Sequence, residues 1–301
     1  MKAIEIKNLE KKYGTFQALK HVDLVVEEGD FFALLWENGA GKTTIIGILI
    51  DLVKKTSGKV KIFWVDIDKD FPKAKNFIGV VPQEFNLDIF SKAFDVLTIN
   101  AWYHGIPMDE AIPRAEELLK KLSLWEKKDN QVRELSGGMK RRLMIARALM
   151  HKPKLLILDE PTAWVDLNLR KSTRSFLQEL NQAWTTIVLT THYLEEVEML
   201  CNTLAFINKW QIVEQTSKKN FFKKITENRF ELTLSTPIKV LPKCLEKYKW
   251  ELKWDDKLIA YIDKKENLSD FFEVIKWENL EISDLKNTTN ELEELFQKFT
   301  S

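Results

Sequence analysis

The residues of this chain best equipped for chemistry stand in two short runs. In Trp36-Glu37-Asn38-Gly39-Ala40-Gly41-Lys42-Thr43-Thr44, small residues precede a lysine and two hydroxyls. Small side chains let consecutive backbone N–H groups wrap an anion, and a helix opening here adds the partial positive charge of its N-terminus. Lys42 is placed to reach the β- and γ-phosphates of a nucleotide, and the Thr43 hydroxyl to ligate Mg²⁺. In the second run, Leu155-Leu-Ile-Leu-Asp159-Glu160, four apolar residues end in two carboxylates. Asp159 is expected to hold Mg²⁺ through water, and Glu160 to polarise an attacking water. Alone, the first run also reads as a turn with a helix cap, and the second as a strand followed by an acidic turn. Found together, they point to phosphoryl transfer from a nucleoside triphosphate.

Such groups need rigid supports. Residues 31–35 form a short continuous apolar run, the pattern of a strand buried on both faces, and lead into the Gly-rich loop and an apolar helix over about 43–53. Similar runs at 155–158 and 186–189, each followed by a helical pattern, predict a parallel α/β sheet. Residues 3–9 and 22–27 alternate like antiparallel edge strands. The stretch 92–150 is helix-rich, with apolar spacing of three and four over 109–122 and 136–150, and reads as an inserted helical subdomain. A hairpin over 203–213 closes this first domain, residues 1–222. After a break near Thr216-Ser-Lys-Lys-Asn220, residues 223–301 are predicted to form a small α+β domain. Its expected strands are 230–234 and 258–262, and its expected helices are 268–275 and 290–299.

Composition sets outer limits. A chain of 301 residues, 45 % apolar and 30 % charged, can bury a large core. A formal net charge of +1 gives no support for nucleic acid as a partner. Cys201 and Cys244 are too few and too far apart for a disulfide framework or a zinc site, which suits a reducing cytosol. No signal-peptide pattern opens the sequence, and no apolar run approaches the roughly 20 residues that span a bilayer. Work at a membrane would require another chain to do the spanning.

Further short stretches complete a pattern. Leu135-Ser136-Gly137-Gly138-Met139 opens a basic, apolar helix: Ser136 can cap it, and the two glycines let its N–H groups approach an anion. Gln83 follows Gly79-Val-Val-Pro82, His192 follows Ile187-Val-Leu-Thr-Thr191, and Tyr13 lies in Lys-Lys-Tyr-Gly. In this order and spacing, over about residues 1–222, the motifs resemble the nucleotide-binding subunit of an ABC transporter, of the drug- and polysaccharide-export type. The remainder resembles the C-terminal extension of some of these exporters' ATPases. The resemblance implies a P-loop α/β core with an antiparallel β edge and an inserted helical subdomain, plus the small α+β extension. It implies binding and hydrolysis of ATP with Mg²⁺ at the cytosolic face of a membrane, driving a separate permease. In that pattern Tyr13 stacks on adenine, and His192 contacts the γ-phosphate. Gln83 touches Mg²⁺ and water and couples to the permease. Ser136, Gly137 and Gly138 close over ATP held by a second copy, and Asp166 belongs to the D-loop. Met139 stands where glutamine is commoner. Lys140-Arg141-Arg142 is read as a solvated basic face rather than a nucleic-acid contact.

One departure recurs. Tryptophan occupies glycine positions of the family pattern at Trp36, which opens the phosphate loop, and at Trp164 of the D-loop. It also falls where turns usually carry glycine, at Trp64, Trp184 and Trp210, with Trp102 a further candidate, whereas Trp125 fits a native tryptophan. The chain has 10 Gly and 10 Trp, so glycine is depleted to about 3 % against an average near 7 %. Drift would scatter replacements over many residue types. The same replacement repeated at the least tolerant sites is read as UGA codons that specify glycine in the source, rendered as tryptophan. Genuine tryptophans would instead indicate a nucleotide-binding regulatory subunit without turnover. A non-transport ABC ATPase of translation or repair would be marked by tandem cassettes, a coiled-coil insertion or zinc cysteines, and the sequence shows none of these.

Overall fold

The structure is a computed structural model, described for residues 1–36, 42–161, 167–191, 194–223, 227–238, 249–263, 266–277 and 280–287. The chain divides into two compact units, Met1–Lys218 and Lys219–Ser301.

The first unit opens with a long hairpin. Strands β1 (Lys2–Tyr13) and β2 (Phe16–Glu27) pair antiparallel around a tight turn in which Gly14 takes φ +59°. Their inward residues, among them Ile4, Ile6, Leu9, Leu24 and Val26, are buried, as period-2 alternation predicts. Strand β4 (Ser57–Ile62) pairs with β1, and the short β5 (Val65–Asp66) follows, so the sheet order is β2-β1-β4-β5. Gly58 is obligatory for this pairing. It has φ +95°, and a Cβ there would lie 2.4 Å from the Asn8 carbonyl oxygen.

The second sheet has order β10-β9-β3-β8-β7-β6. Strands β3 (Phe31–Trp36), β6 (Ile78–Val81), β7 (Leu155–Asp159), β8 (Thr186–Thr190) and β9 (Thr203–Asn208) run parallel, and β10 (Gln211–Ser217) returns antiparallel at the edge. Every residue of β7 and β8 is buried, the signature of a sheet covered on both faces. Register aligns the strand ends: Val81 faces Leu158, Asp159 faces Thr190, and Thr190 faces Leu34. The C-terminal ends of β3, β6, β7 and β8 thus share one rim, where open α/β sheets bind ligands.

Helix α1 (Lys42–Leu49) follows β3 and is shorter than expected. Asp51 adopts φ +60°, and the N–H groups of Leu52 and Val53 both donate to the Gly47 carbonyl, which closes the helix. After α2 (Phe71–Lys75) come α3 (Ala93–Tyr103), α4 (Met108–Lys121) and α5 (Gly137–Leu149). On α4 the residues Ala111, Ala115, Leu118 and Leu119 form the buried stripe that the spacing predicts. Helices α6 (Leu167–Gln182) and α7 (Leu194–Leu200) flank β8, and α8 (Lys218–Lys223) follows β10.

Helix α5 overturns one expectation. Arg141 is 2 % exposed and Arg142 7 %, so these two do not form a solvated face. Their terminal guanidinium nitrogens donate to backbone carbonyls: Arg141 to Pro82 O and Gln83 O, and Arg142 Nη1 to Leu122 O at 2.7 Å.

Two tryptophans occupy backbone that favours glycine. Trp184, at the turn between α6 and β8, has φ +68° and is 75 % exposed. Trp210 has φ +67° beside Lys209 at φ +44°, the left-handed pair of a two-residue hairpin between β9 and β10. At the β4–β5 turn the left-handed residue is Phe63, at φ +53°, rather than Trp64. Trp102 lies within α3, exposed, and needs no special φ.

In the second unit, β11 (Glu227–Leu234), β12 (Lys249–Trp254), β13 (Lys257–Asp263) and β14 (Ile282–Asn287) form an antiparallel sheet of order β12-β13-β11-β14. Helix α9 (Leu268–Trp277) covers one face, with Phe271 and Ile275 packed on Phe230, Leu232, Leu258 and Ile262. Trp250 stacks on Phe271 with ring centroids 5.3 Å apart. Strands β12 and β14 escaped the sequence reading because charged residues fill their outer positions. The helix expected at 290–299 lies outside the described residues. Among the described residues, no helix is long and apolar enough to cross a membrane.

A half-buried base makes stability depend on pH. His151 follows α5 and donates from Nε2 to the Ile78 carbonyl at 2.9 Å. Burial first, then the neighbouring His104 and Lys75, push it down to about 4, against the upward pull of that hydrogen bond. Between its ordinary value of 6.5 and 4, the unfolded chain binds the proton and the folded chain does not. The stabilisation is therefore complete above pH 6.5 and is lost as pH falls toward 4. Melting temperatures from pH 7 to 4 should fall less steeply in His151→Gln than in the parent. Equal slopes would contradict the assignment.

Candidate active site

The rim of the parallel sheet gathers the predicted carboxylates. Strand β7 carries Asp159 to its last position, 8 % exposed. On the neighbouring strand, the Thr190 hydroxyl donates to Asp159 Oδ1 at 2.6 Å and lies 3.1 Å from Leu158 O. Thr190 also receives the chain beyond β7, because Glu160 N–H donates to its carbonyl at 3.0 Å and to its hydroxyl at 3.3 Å. Here the backbone turns sharply: Glu160 has φ +48°, a left-handed conformation that non-glycine residues avoid. Strain of this kind, held by surrounding hydrogen bonds, clusters at functional sites.

Gln83 joins this cluster from the segment after β6. Its Nε2 donates to Glu160 Oε2 at 3.1 Å, and its side chain is exposed. The segment is held from beneath by α5. Arg141 donates through Nη1 to Pro82 O at 2.5 Å and through Nη2 to Gln83 O at 2.7 Å, with its guanidinium 5.1 Å from the Phe85 ring centre. Arg147 grips Asn86 through its carbonyl at 2.9 Å and its Oδ1 at 2.6 Å. Burial lowers the Arg141 pKa, and the carboxylates of Asp159 and Glu160 pull it back up. Gly79 on β6 allows α5 this close, since a Cβ there would meet Ala148 O at 2.5 Å.

Thr190 was not singled out from sequence, and Arg141 was read there only as part of a solvated basic face. A threonine ending an apolar run, and an arginine on the buried side of a helix, are the signals they leave. Neither signal tells a site residue from a structural one.

The helix N-termini lie as expected. Lys42, Thr43 and Thr44 open α1, with Thr43 exposed and Ile45 and Ile46 buried below. Ser136 caps α5, accepting from Met139 N–H at 3.3 Å. Gly137 is exposed at the start of the helix, and Gly138 is buried. Tyr13 ends β1, 48 % exposed, with Lys11 Nζ 4.5 Å from its ring centre. Trp36 closes β3. Glu37, Asn38, Gly39, Ala40 and Gly41, with Trp164, Asp166 and His192, lie outside the described residues. The oxygens at this rim, from a carboxylate, a hydroxyl and an amide, are the hard donors that suit Mg²⁺. A preformed cluster of three or more His, Cys, Asp or Glu side chains does not occur among the described residues.

Comparison with known proteins agrees with this architecture. Residues 19–163 match the family model described as ABC transporter. The chain is 36 % identical over 233 residues to the linearmycin resistance ATP-binding protein LnrL of Bacillus subtilis, covering 77 % of this chain and 75 % of that protein. It is 41 % identical over 205 residues to the Nod factor export ATP-binding protein I of Cupriavidus metallidurans, covering 68 % of each. Among solved structures, a dimeric ATP-binding cassette in a post-hydrolysis state with ADP and phosphate superposes with a TM-score of 0.66 at 27 % identity, over 71 % of this chain and 98 % of that one. The chain belongs to the ABC transporter family, as an ATP-binding subunit that hydrolyses ATP to energise transport by a separate permease.

Proposed function

We propose that this subunit powers export from the cytosolic face of the membrane, with Glu160 as the carboxylate that orients the attacking water. The observation that carries this reading is the Gln83–Glu160 contact at the rim, anchored by Thr190 on one side and Arg141 on the other. The relative named for Nod factor export supports the direction of transport.

In this reading Lys42 and the N–H groups of residues 37–44 grip the β- and γ-phosphates, and Tyr13 stacks on adenine. Thr43, Gln83 and Asp159 would hold Mg²⁺, which when bound neutralises phosphate charge. Gln83 keeps Glu160 aimed at the phosphate rim, and His192 contacts the γ-phosphate. Ser136, Gly137 and Gly138 meet ATP bound by a second copy, and Asp166 lies at that junction. Two copies thus sandwich two nucleotides, close on binding and part after hydrolysis. The permease is driven through the surface around Gln83 and the helical subdomain, about 92–150. Residues 1–222 form the nucleotide-binding domain and 223–301 a separate small domain.

Lys42→Ala tests the phosphate assignment. Losing a charge-assisted bond of about 1.5–3 kcal/mol should weaken ATP binding about 10- to 100-fold. Titration with a fluorescent ATP analogue measures it, and an unchanged Kd would end this reading.

We further propose that positions 36, 64, 164, 184 and 210 are glycine in the native protein. The left-handed backbone at Trp184 and Trp210 supports this at those two positions. A regulatory subunit without turnover is the second reading, and it is favoured only if peptide sequencing of the native protein finds tryptophan at position 36.

A further inference from the structure

Helix α5 lies along the whole segment that carries Gln83. Just past its C-terminal end His151 bonds to Ile78 O, and Ala148 O approaches where Gly79 leaves room for it. Arg147 holds Asn86, and Arg141, nearer the N-terminal end, holds Pro82 O and Gln83 O. Ser136 caps the same helix. One rigid element therefore joins the signature serine to the backbone of Gln83.

Arg141 stands apart among these contacts. It is 2 % exposed, and taking a guanidinium out of water is costly unless hydrogen bonds offset the loss. Its terminal nitrogens lie 2.5 and 2.7 Å from two consecutive carbonyls, while its Nε is buried without a partner among the described residues. The side chain forgoes one hydrogen bond and keeps its fork on the chain at residues 82 and 83. Two donors in a planar fork fix orientation as well as position, which one ammonium cannot do. Holding the Gln83 carbonyl also sets where its side chain departs, and that side chain reaches Glu160 Oε2 at 3.1 Å. The carboxylates of Asp159 and Glu160 act on the guanidinium in return through their charge. Arg142, buried beside it, bonds instead to Leu122 O at the end of α4. An apolar side chain could fill the Arg141 site without the desolvation cost. Only the arginine grips the loop.

We propose that Arg141 is a positioning residue for ATP hydrolysis: it carries movement of α5, set by nucleotide at the Ser136 end, to the Gln83 backbone and so to Glu160. One copy then aligns its hydrolytic carboxylate when its α5 has met the nucleotide of the other copy. The proposal rests on the reading that Gln83 and Glu160 serve hydrolysis within a two-copy sandwich, and it adds a physical link between the two sites.

The test uses the full-length chain with Trp36→Gly and Trp164→Gly in every sample. Misplacing reacting groups by roughly 1 Å costs about 100-fold, so Arg141→Met should lower kcat by about 10- to 100-fold with little change in KM. Arg141→Lys keeps the charge, loses the fork, and should also lower kcat. Arg142→Met removes a neighbouring buried guanidinium and should reduce Tm while leaving kcat unchanged. On a Gln83→Ala chain, Arg141→Met should cost no more than about twofold further, because the side chain it positions is gone. Additive losses there, or an equal fall of kcat in Arg142→Met, would mark general damage to α5 and overturn the proposal.

A second arm reads the link directly. The probe is 4-fluorophenylalanine at position 85 alone, where the Phe85 ring centre is 5.1 Å from the Arg141 guanidinium. With Glu160→Gln to keep two copies paired, its ¹⁹F resonance should shift when ATP is added. With Arg141→Met as well, the ATP-dependent dimer should persist in light scattering and the shift should vanish. A shift that survives Arg141→Met, no shift before that substitution, or loss of the dimer with it overturns the link. If Glu160→Gln and Gln83→Ala leave turnover unchanged, or no ATP-dependent dimer forms at all, the underlying reading fails instead.

Discussion

Glu160→Gln should leave ATP bound and turnover stalled. The substitution retains the shape of the side chain and an oxygen that can still accept from Gln83 Nε2, now 3.1 Å from Glu160 Oε2. It also retains the strained backbone at φ +48°, which is held by the Thr190 carbonyl and hydroxyl. Only the charge that draws a proton from water is lost, and general-base assistance of this kind is worth about 10²- to 10⁴-fold. Phosphate release should fall by that factor while ATP affinity stays within about threefold, far less than the loss of one charge-assisted bond would cost. Because separation of two copies follows hydrolysis in the proposed cycle, the variant should also accumulate as an ATP-dependent dimer in light scattering. Unchanged turnover would remove Glu160 from the catalytic role and pass it to another group at the same rim.

Restoring glycine at positions 36 and 164 should have an effect of similar size in the opposite direction. Trp36 is the last residue of β3, where the chain leaves the sheet for the phosphate loop, and α1 begins only at Lys42. A loop that must bring successive N–H groups against phosphate has little space for an indole. Displacing reacting groups by roughly 1 Å costs about 100-fold in rate. Trp36→Gly with Trp164→Gly is therefore expected to raise ATP turnover about 100-fold over the tryptophan chain. The same phosphate-release assay measures this. Equal rates would show that the loop tolerates tryptophan and would remove the main reason for reading glycine at these positions. Trp184→Gly serves as a control: it changes a left-handed turn far from the loop in sequence and should leave turnover unchanged.

Much of the fold was legible from residue order alone. Continuous apolar runs at 31–35, 155–158 and 186–189 became β3, β7 and β8, because a strand covered on both faces must be apolar throughout. Alternation announced β1 and β2, and the 3–4 spacing announced α4 and α5. In the second unit β12 and β14 stayed hidden, since edge strands with charged outer faces carry little periodic signal.

The site divides along the same line. Which side chains can grip phosphate and which can polarise water was written in the spacing of Lys42, Thr43, Asp159 and Glu160, because that chemistry belongs to residue types within a few positions of one another. Tertiary structure alone decided what holds them. Thr190 reaches Asp159 across a strand pairing, and Arg141 reaches Gln83 over 58 positions of chain. The burial of Arg141 is equally invisible in sequence. A local pattern records what a residue can do. Whether its polar atoms are satisfied depends on neighbours that only the packed chain brings within 3 Å or so of each other.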